Sequence, residues 1–207
     1  EHVLGAAPVA PERETVPPYP VPLRGVQIKI RAFEPDTKQI REVTITHEFN
    51  SDEDTFWKVF FDKAFNDRLY KEHLQFSQYE VVDQRETDAE LVRKVKGSPK
   101  MNLPGPVAKL LGNGFSYVEE GRLNKATKLW TWKMTPSALG DKLRNEGTMR
   151  IEKIGEGRIR RIADITIEAK VFGVGGLIES SAEKQLREGW DASAPFFQKG
   201  IDAARGA

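Results

Sequence analysis

From residue 43 onward the chain shifts between two hydrophobic periods. Val43, Ile45, His47 and Phe49 alternate with Thr44, Thr46 and Glu48, the period-two pattern of a half-buried strand. Asn50-Ser51-Asp52 then supplies helix-capping side chains, with Glu53 and Asp54 in the first turn that follows. Phe56, Val59, Phe60 and Ala64 stand at helical spacing, and a second short helix is expected over Asn66–His73. Three hairpin-like pairs come next. Gln78–Arg85 and Ala89–Lys96 turn at Glu86-Thr87-Asp88, and Phe115–Leu123 and Lys128–Thr135 turn at Asn124-Lys125-Ala126. Glu146–Ile154 and Arg158–Val171 turn at Gly155-Glu156-Gly157. Between the first two pairs, Asn102–Gly112 reads as a short helix that starts near prolines and ends at glycine.

The longest helix is expected from Gly176 to Ile201, where Ile178, Ala182, Leu186, Trp190, Phe197 and Ile201 recur at helical spacing. Pro195 is expected to kink it or to end its first section. At 1.5 Å per residue this helix would be about 35 Å long, enough to cross a sheet. The order is therefore strand, two short helices, a run of antiparallel strands, and one long C-terminal helix. A strongly curved antiparallel sheet must cover its concave apolar face, and one long amphipathic helix can do so with a pocket between them. The expected class is α+β, a curved antiparallel sheet wrapped on a long C-terminal helix.

Residues 1–24 follow another rule. Six of the 12 prolines fall before Arg24, so this stretch favours extended geometry and an arm laid across a protein partner. Val26–Ile30 alternates as an additional strand and Pro35-Asp36 marks a turn, making 25–42 a connecting piece before a domain over 43–201 and a tail over 202–207. The first residue is Glu1 rather than Met, and no apolar leader core follows it. Removal of a transit peptide would place the protein in a plastid or mitochondrion, whereas a trimmed chain would carry no such meaning.

Composition narrows the function classes. The 207 residues carry a formal net charge of +1, which argues against a nucleic-acid or anionic-membrane binder that depends on basic excess. No apolar run approaches the roughly 18–20 residues of a membrane-spanning helix. With zero Cys, disulfides, thiolate metal sites and a thiol nucleophile are all excluded. No hydrolase or zinc-protease motif occurs, no cofactor fingerprint is complete, and neither a catalytic residue nor a metal site is assigned.

The stretches Phe56–Asp62, Leu103–Lys109, Gly147–Met149 and Val171–Glu179 resemble the START-like, or helix-grip (SRPBCC), superfamily, which includes the birch-pollen-allergen type and polyketide cyclases. Phe56-Trp57-Lys58-Val59-Phe60-Phe61-Asp62 is similar to its opening helix, and Leu103-Pro104-Gly105-Pro106-Val107-Ala108-Lys109 to its mid-chain proline-bearing segment. Gly147-Thr148-Met149 looks like a strand entry, and Val171-Phe172-Gly173-Val174-Gly175-Gly176-Leu177-Ile178-Glu179 like the glycine-rich passage into the last helix. The nearest likeness is to an uncharacterised START-like family, over roughly Val43–Trp190. The resemblance implies a lipid or other hydrophobic small molecule held between sheet and helix. It does not imply catalysis, because one fold hosts carriers, enzymes and scaffolds.

Each candidate residue has a plain structural alternative. The run Gly173-Val174-Gly175-Gly176 lacks the Lys-Ser/Thr of a phosphate loop and reads as a tight strand-to-helix turn. His47 has inward parity and is either a ligand contact or base, or a core histidine satisfied by one hydrogen bond. Arg158 and Arg160 face outward, while Arg161 shares parity with Ala163, Ile165 and Ile167. Arginine is seldom fully buried, so a surface position is expected for Arg161. Inside, it would need Glu152, Glu119 or an anionic headgroup as partner. Trp130, Trp132 and Met134 share one face, and Asn102–Gly112 is either a lid over the pocket or a satellite core cluster. The candidate ligand-binding set is His47, Phe60, Tyr117, Trp130, Trp132, Arg161, Ile165, Leu186 and Trp190.

Three functions fit this pattern. One is a non-enzymatic carrier, serving as a subunit of a larger assembly through residues 1–24. The others are a scaffold with a filled interior, and a cyclase-like or hydrolase-like enzyme with polar groups converging in the pocket.

Overall fold

A computed structural model describes residues 40–101, 103–111 and 114–206. The expected proline-rich arm and the strand at Val26–Ile30 lie outside the described residues. Seven strands form one antiparallel sheet: β1 (Ile40–Phe49), β2 (Gln78–Glu86), β3 (Glu90–Ser98), β4 (Tyr117–Asn124), β5 (Leu129–Pro136), β6 (Leu143–Gly155) and β7 (Arg158–Ala169). Their spatial order is β1-β7-β6-β5-β4-β3-β2. All three expected hairpins are present, and β1 joins the far edge by pairing with β7, from Ile40 opposite Glu168 to Phe49 opposite Ile159.

Capping explains the helical corner after β1. The Asp52 carboxylate accepts from the Thr55 N–H at 2.8 Å and starts α1 (Glu53–Phe61). Asp62 then ends α1 in extended geometry and accepts from the Phe65 N–H, starting α2 (Lys63–Asp67). The expected helix over Asn66–His73 divides differently: α2 stops at Asp67, and Arg68–His73 forms a wider π-helical turn. This turn seats Leu69 in the core and Tyr70 against Tyr79 of β2, whose rings stack at 4.0 Å.

The short mid-chain helix α3 spans Gly105–Leu111, and the long helix α4 spans Gly175–Arg205, 31 residues or about 46 Å. Pro195 does not end a first section of α4, which runs through it. The carbonyl that its missing N–H would have engaged belongs to Asp191, and both residues lie on the exposed side. One residue along, His73 Nε2–H donates to the Ala192 carbonyl at 2.9 Å.

The core lies between the concave face and α4. Phe49, Phe56 and Phe197 meet with ring centroids 5.3–6.0 Å apart, joining β1, α1 and α4. A second cluster of Val107, Leu111, Ala169 and Ile178 fixes α3 beside the start of α4. The glycine run forms the tight turn expected. Gly173 takes φ +76°, and a Cβ on Gly175 would run into the Ala169 carbonyl.

Candidate functional site

A cavity of about 600 Å³ lies between the concave sheet face and α4. Among the candidate residues, Phe60 of α1 and Tyr117, Trp130 and Trp132 of β4 and β5 line it. So do Arg161 and Ile165 of β7 and Leu186 and Trp190 of α4. His47 does not line it; it stands behind Arg161. The exposed lining residues His73, Gln75, Lys100 and Glu188 mark the rim.

Glycines across the sheet make room for the aromatic wall. A Cβ on Gly97 would stand 2.5 Å from Tyr117 Cζ, and one on Gly147 would stand 2.6 Å from Trp132 Cζ2. A Cβ on Gly121 would collide with the Trp130 indole. Gly97 faces Tyr117 and Gly147 faces Trp132 directly across neighbouring strands, so each ring lies over its partner strand's backbone. Trp132 also reaches Trp190 of α4 with ring centroids 6.3 Å apart.

Arg161 corrects the surface expectation. It is 3% exposed, because strand alternation between Ile159 and Ala163 turns it inward beneath α4. Neither expected carboxylate reaches it. Glu152 accepts from Arg150, and Arg161 lies within ion-pair distance of no carboxylate among the described residues. Aromatic faces surround the guanidinium instead: Cζ lies 4.4 Å from the Trp190 ring centre, 5.2 Å from Phe49 and 5.7 Å from Phe197. Its Nη2 donates to His47 Nδ1 at 3.0 Å, and its Nε has no partner. Burial pulls its pKa down to about 9.

Long-range contacts give His47 two hydrogen bonds. With Nδ1 accepting from Arg161, the ring proton sits on Nε2 and donates to Asp191 Oδ1 at 2.8 Å. Burial lowers the imidazole pKa, the Arg161 charge lowers it further, and Asp191 opposes both. Thus His47 holds neither the one-bond core position nor a cavity contact.

The opposite wall carries a second buried arginine that the sequence analysis did not single out. Arg93 is 5% exposed, and its Nη1 donates to the Phe60 carbonyl at 2.8 Å. Its Cζ lies 4.6 Å from the Phe60 ring centre. The inward parity of Leu91, Arg93 and Val95 on β3 was the available signal. Glu119 also lines the cavity; burial raises its carboxyl pKa, and Arg93 counteracts that in part. Tyr70 completes this wall, its hydroxyl pushed up to about 12 by burial and by Glu119. Within the segment expected to be either lid or satellite cluster, Leu103, Val107 and Leu111 belong to the second cluster and also line the cavity.

Among the described residues, no group of three or more His, Cys, Asp or Glu side chains is placed to hold a metal ion. No described helix is long and apolar enough to cross a membrane.

Solved structures share this architecture. The ZhuI aromatase/cyclase of Streptomyces sp. R1128 is 12% identical, with a TM-score of 0.56 over 79% of this chain and 94% of its own. The norcoclaurine synthase of Thalictrum flavum is 12% identical, with a TM-score of 0.51 over 85% of this chain and 96% of its own. A START superfamily protein of Mycobacterium smegmatis is 13% identical, with a TM-score of 0.50 over 78% of this chain and 97% of its own. At such identities the likeness establishes the fold alone, the helix-grip fold that these proteins share. No curated protein matches the sequence. The family model described as Protein of unknown function (DUF2505) matches residues 44–201, more than half of the chain, and the chain belongs to that family.

Proposed function

We propose that the protein is a carrier that holds a hydrophobic small molecule or lipid between its sheet and α4. The observation that supports this reading is the open cavity of about 600 Å³, a size in the range of small-molecule sites and walled by aromatic and aliphatic side chains. A scaffold role would be served better by a filled interior. His47, the histidine with inward parity, offers the cavity no base, since it does not line it and both its ring nitrogens are engaged behind Arg161. Sequence alone supports a place in a larger assembly, through the proline-rich stretch at residues 1–24.

The test uses the neutral fluorophore N-phenyl-1-naphthylamine. Saturable one-to-one binding with a blue-shifted emission is expected for the wild type. Ala182 lines the cavity, and Ala182→Trp should fill it and abolish binding. Absence of saturable binding, or equal binding by Ala182→Trp, would overturn the carrier reading.

A further inference from the structure

Two arginines are buried against this cavity, each with an unpartnered Nε, and they differ in what their Nη atoms engage. Arg93 gives Nη1 to a backbone carbonyl and lies near the carboxyl of Glu119. Arg161 has no oxygen acceptor among the described residues; its one hydrogen bond goes to an imidazole nitrogen, and its Nε has no partner. A buried cation without an anion is costly, and proteins rarely retain one without a reason. Here the surroundings fix the cation in place. Trp190 and Phe49 hold the guanidinium plane, and Asp191 sets the His47 tautomer that accepts from Nη2.

We propose that the hydrophobic ligand carries a carboxylic acid head, and that its carboxylate pairs with Arg161 beneath α4 while its apolar body lies along Trp132, Ile165 and Leu186. This inference rests on the carrier reading and specifies its ligand class. The guanidinium supplies the charge-assisted donors that a carboxylate accepts. A single charge fits better than the double charge of a phosphate ester. Arg161 has no oxygen acceptor among the described residues, and Glu119 on the opposite wall disfavours additional negative charge. His47 and Asp191 act here as positioning residues and do not touch the ligand.

The test titrates the protein with 11-(dansylamino)undecanoic acid and with its methyl ester, which differ only at the head group. Wild type should bind the acid at least about tenfold more tightly than the ester, as expected for charged hydrogen bonds out of water. Arg161→Met should remove that preference, so that the variant binds acid and ester about equally. The Nε–H resonance of Arg161 should move when the acid binds and stay in place with the ester, a readout that needs no variant to fold. Equal affinity for acid and ester in the wild type would overturn this inference and leave the carrier reading standing. A preference that persists in folded Arg161→Met, or an unmoved Arg161 resonance, would do the same. Binding of neither compound would overturn the carrier reading and this inference together.

Discussion

Gly147 lies directly opposite Trp132 across β5 and β6, and a Cβ at Gly147 would stand 2.6 Å from both Trp132 Cζ2 and the Asp164 backbone oxygen. The indole can lie flat over β6, forming part of the cavity wall, because residue 147 has no side chain. With Gly97 under Tyr117 and Gly121 under Trp130, three inner-strand positions leave out a side chain so that an aromatic ring can occupy the space.

Gly147→Ala should therefore destabilise the fold by about 1–3 kcal/mol, the usual cost of forcing atoms into a filled site. The Asp164 oxygen belongs to the backbone and cannot swing away as a flexible side chain would. Urea denaturation of wild type and variant measures the difference, and an unchanged midpoint would refute this account of the wall. The variant should also show altered Trp emission, because Trp132 must shift.

His47 predicts a stability loss toward acid. Burial and then Arg161 depress its pKa below 6.5, so the unfolded chain takes up a proton that the native state resists. Its contribution is fully present above the unfolded value and is lost as pH falls through the lowered native value. Between about pH 7.5 and 5.5, the denaturation midpoint of wild type should fall more steeply than that of His47→Gln. Parallel curves for the two proteins would contradict the depressed value.

Much of the fold was legible because it is local. The hairpins announce themselves through alternation and short polar turns, and α1 through Asp52 and the Phe56–Phe60 spacing. Parity also brought Arg161 to the correct face, but not its depth, which depends on α4 lying over β7. The His47–Asp191 contact joins residues 144 positions apart, and no spacing rule reaches that far. The π-helical turn at Arg68–His73 was hidden for a different reason: the side-chain pattern there suits an ordinary helix, and the wider turn is set by tertiary contacts of Leu69 and Tyr70.

Glu119 gives the opposite pH signature. Burial raises its carboxyl pKa above 4.5, with Arg93 limiting the rise. A group raised in the native state contributes stability below the unfolded value and loses it as pH rises through the native one. Glu119→Gln keeps the shape without the charge and should be more stable than wild type near neutral pH. The advantage should shrink as pH falls toward about 4, where the wild-type carboxyl is protonated in both states. Chemical denaturation of both proteins at neutral and acidic pH checks this, and a variant less stable at neutral pH would show that the carboxylate is a needed partner of Arg93.

Arg161→Met separates ligand recognition from stability. In the ligand-free protein the guanidinium has aromatic stacking and one hydrogen bond to His47. Stacking contributes about 2 kcal/mol when desolvated and the hydrogen bond about 1.5–3 kcal/mol, against a desolvation cost of several kcal/mol for a buried ion. A methionine of similar reach retains apolar contact with Trp190 and removes that cost, so the ligand-free variant should be at least as stable as wild type, by about 1 kcal/mol or less. A long-chain carboxylic acid should then raise the melting temperature of wild type more than that of Arg161→Met, because the variant lacks the cation beneath α4. If ligand-free Arg161→Met melts well below wild type, Arg161 serves mainly to hold α4 on the sheet, and the unpaired charge is a cost of packing rather than a device for recognition.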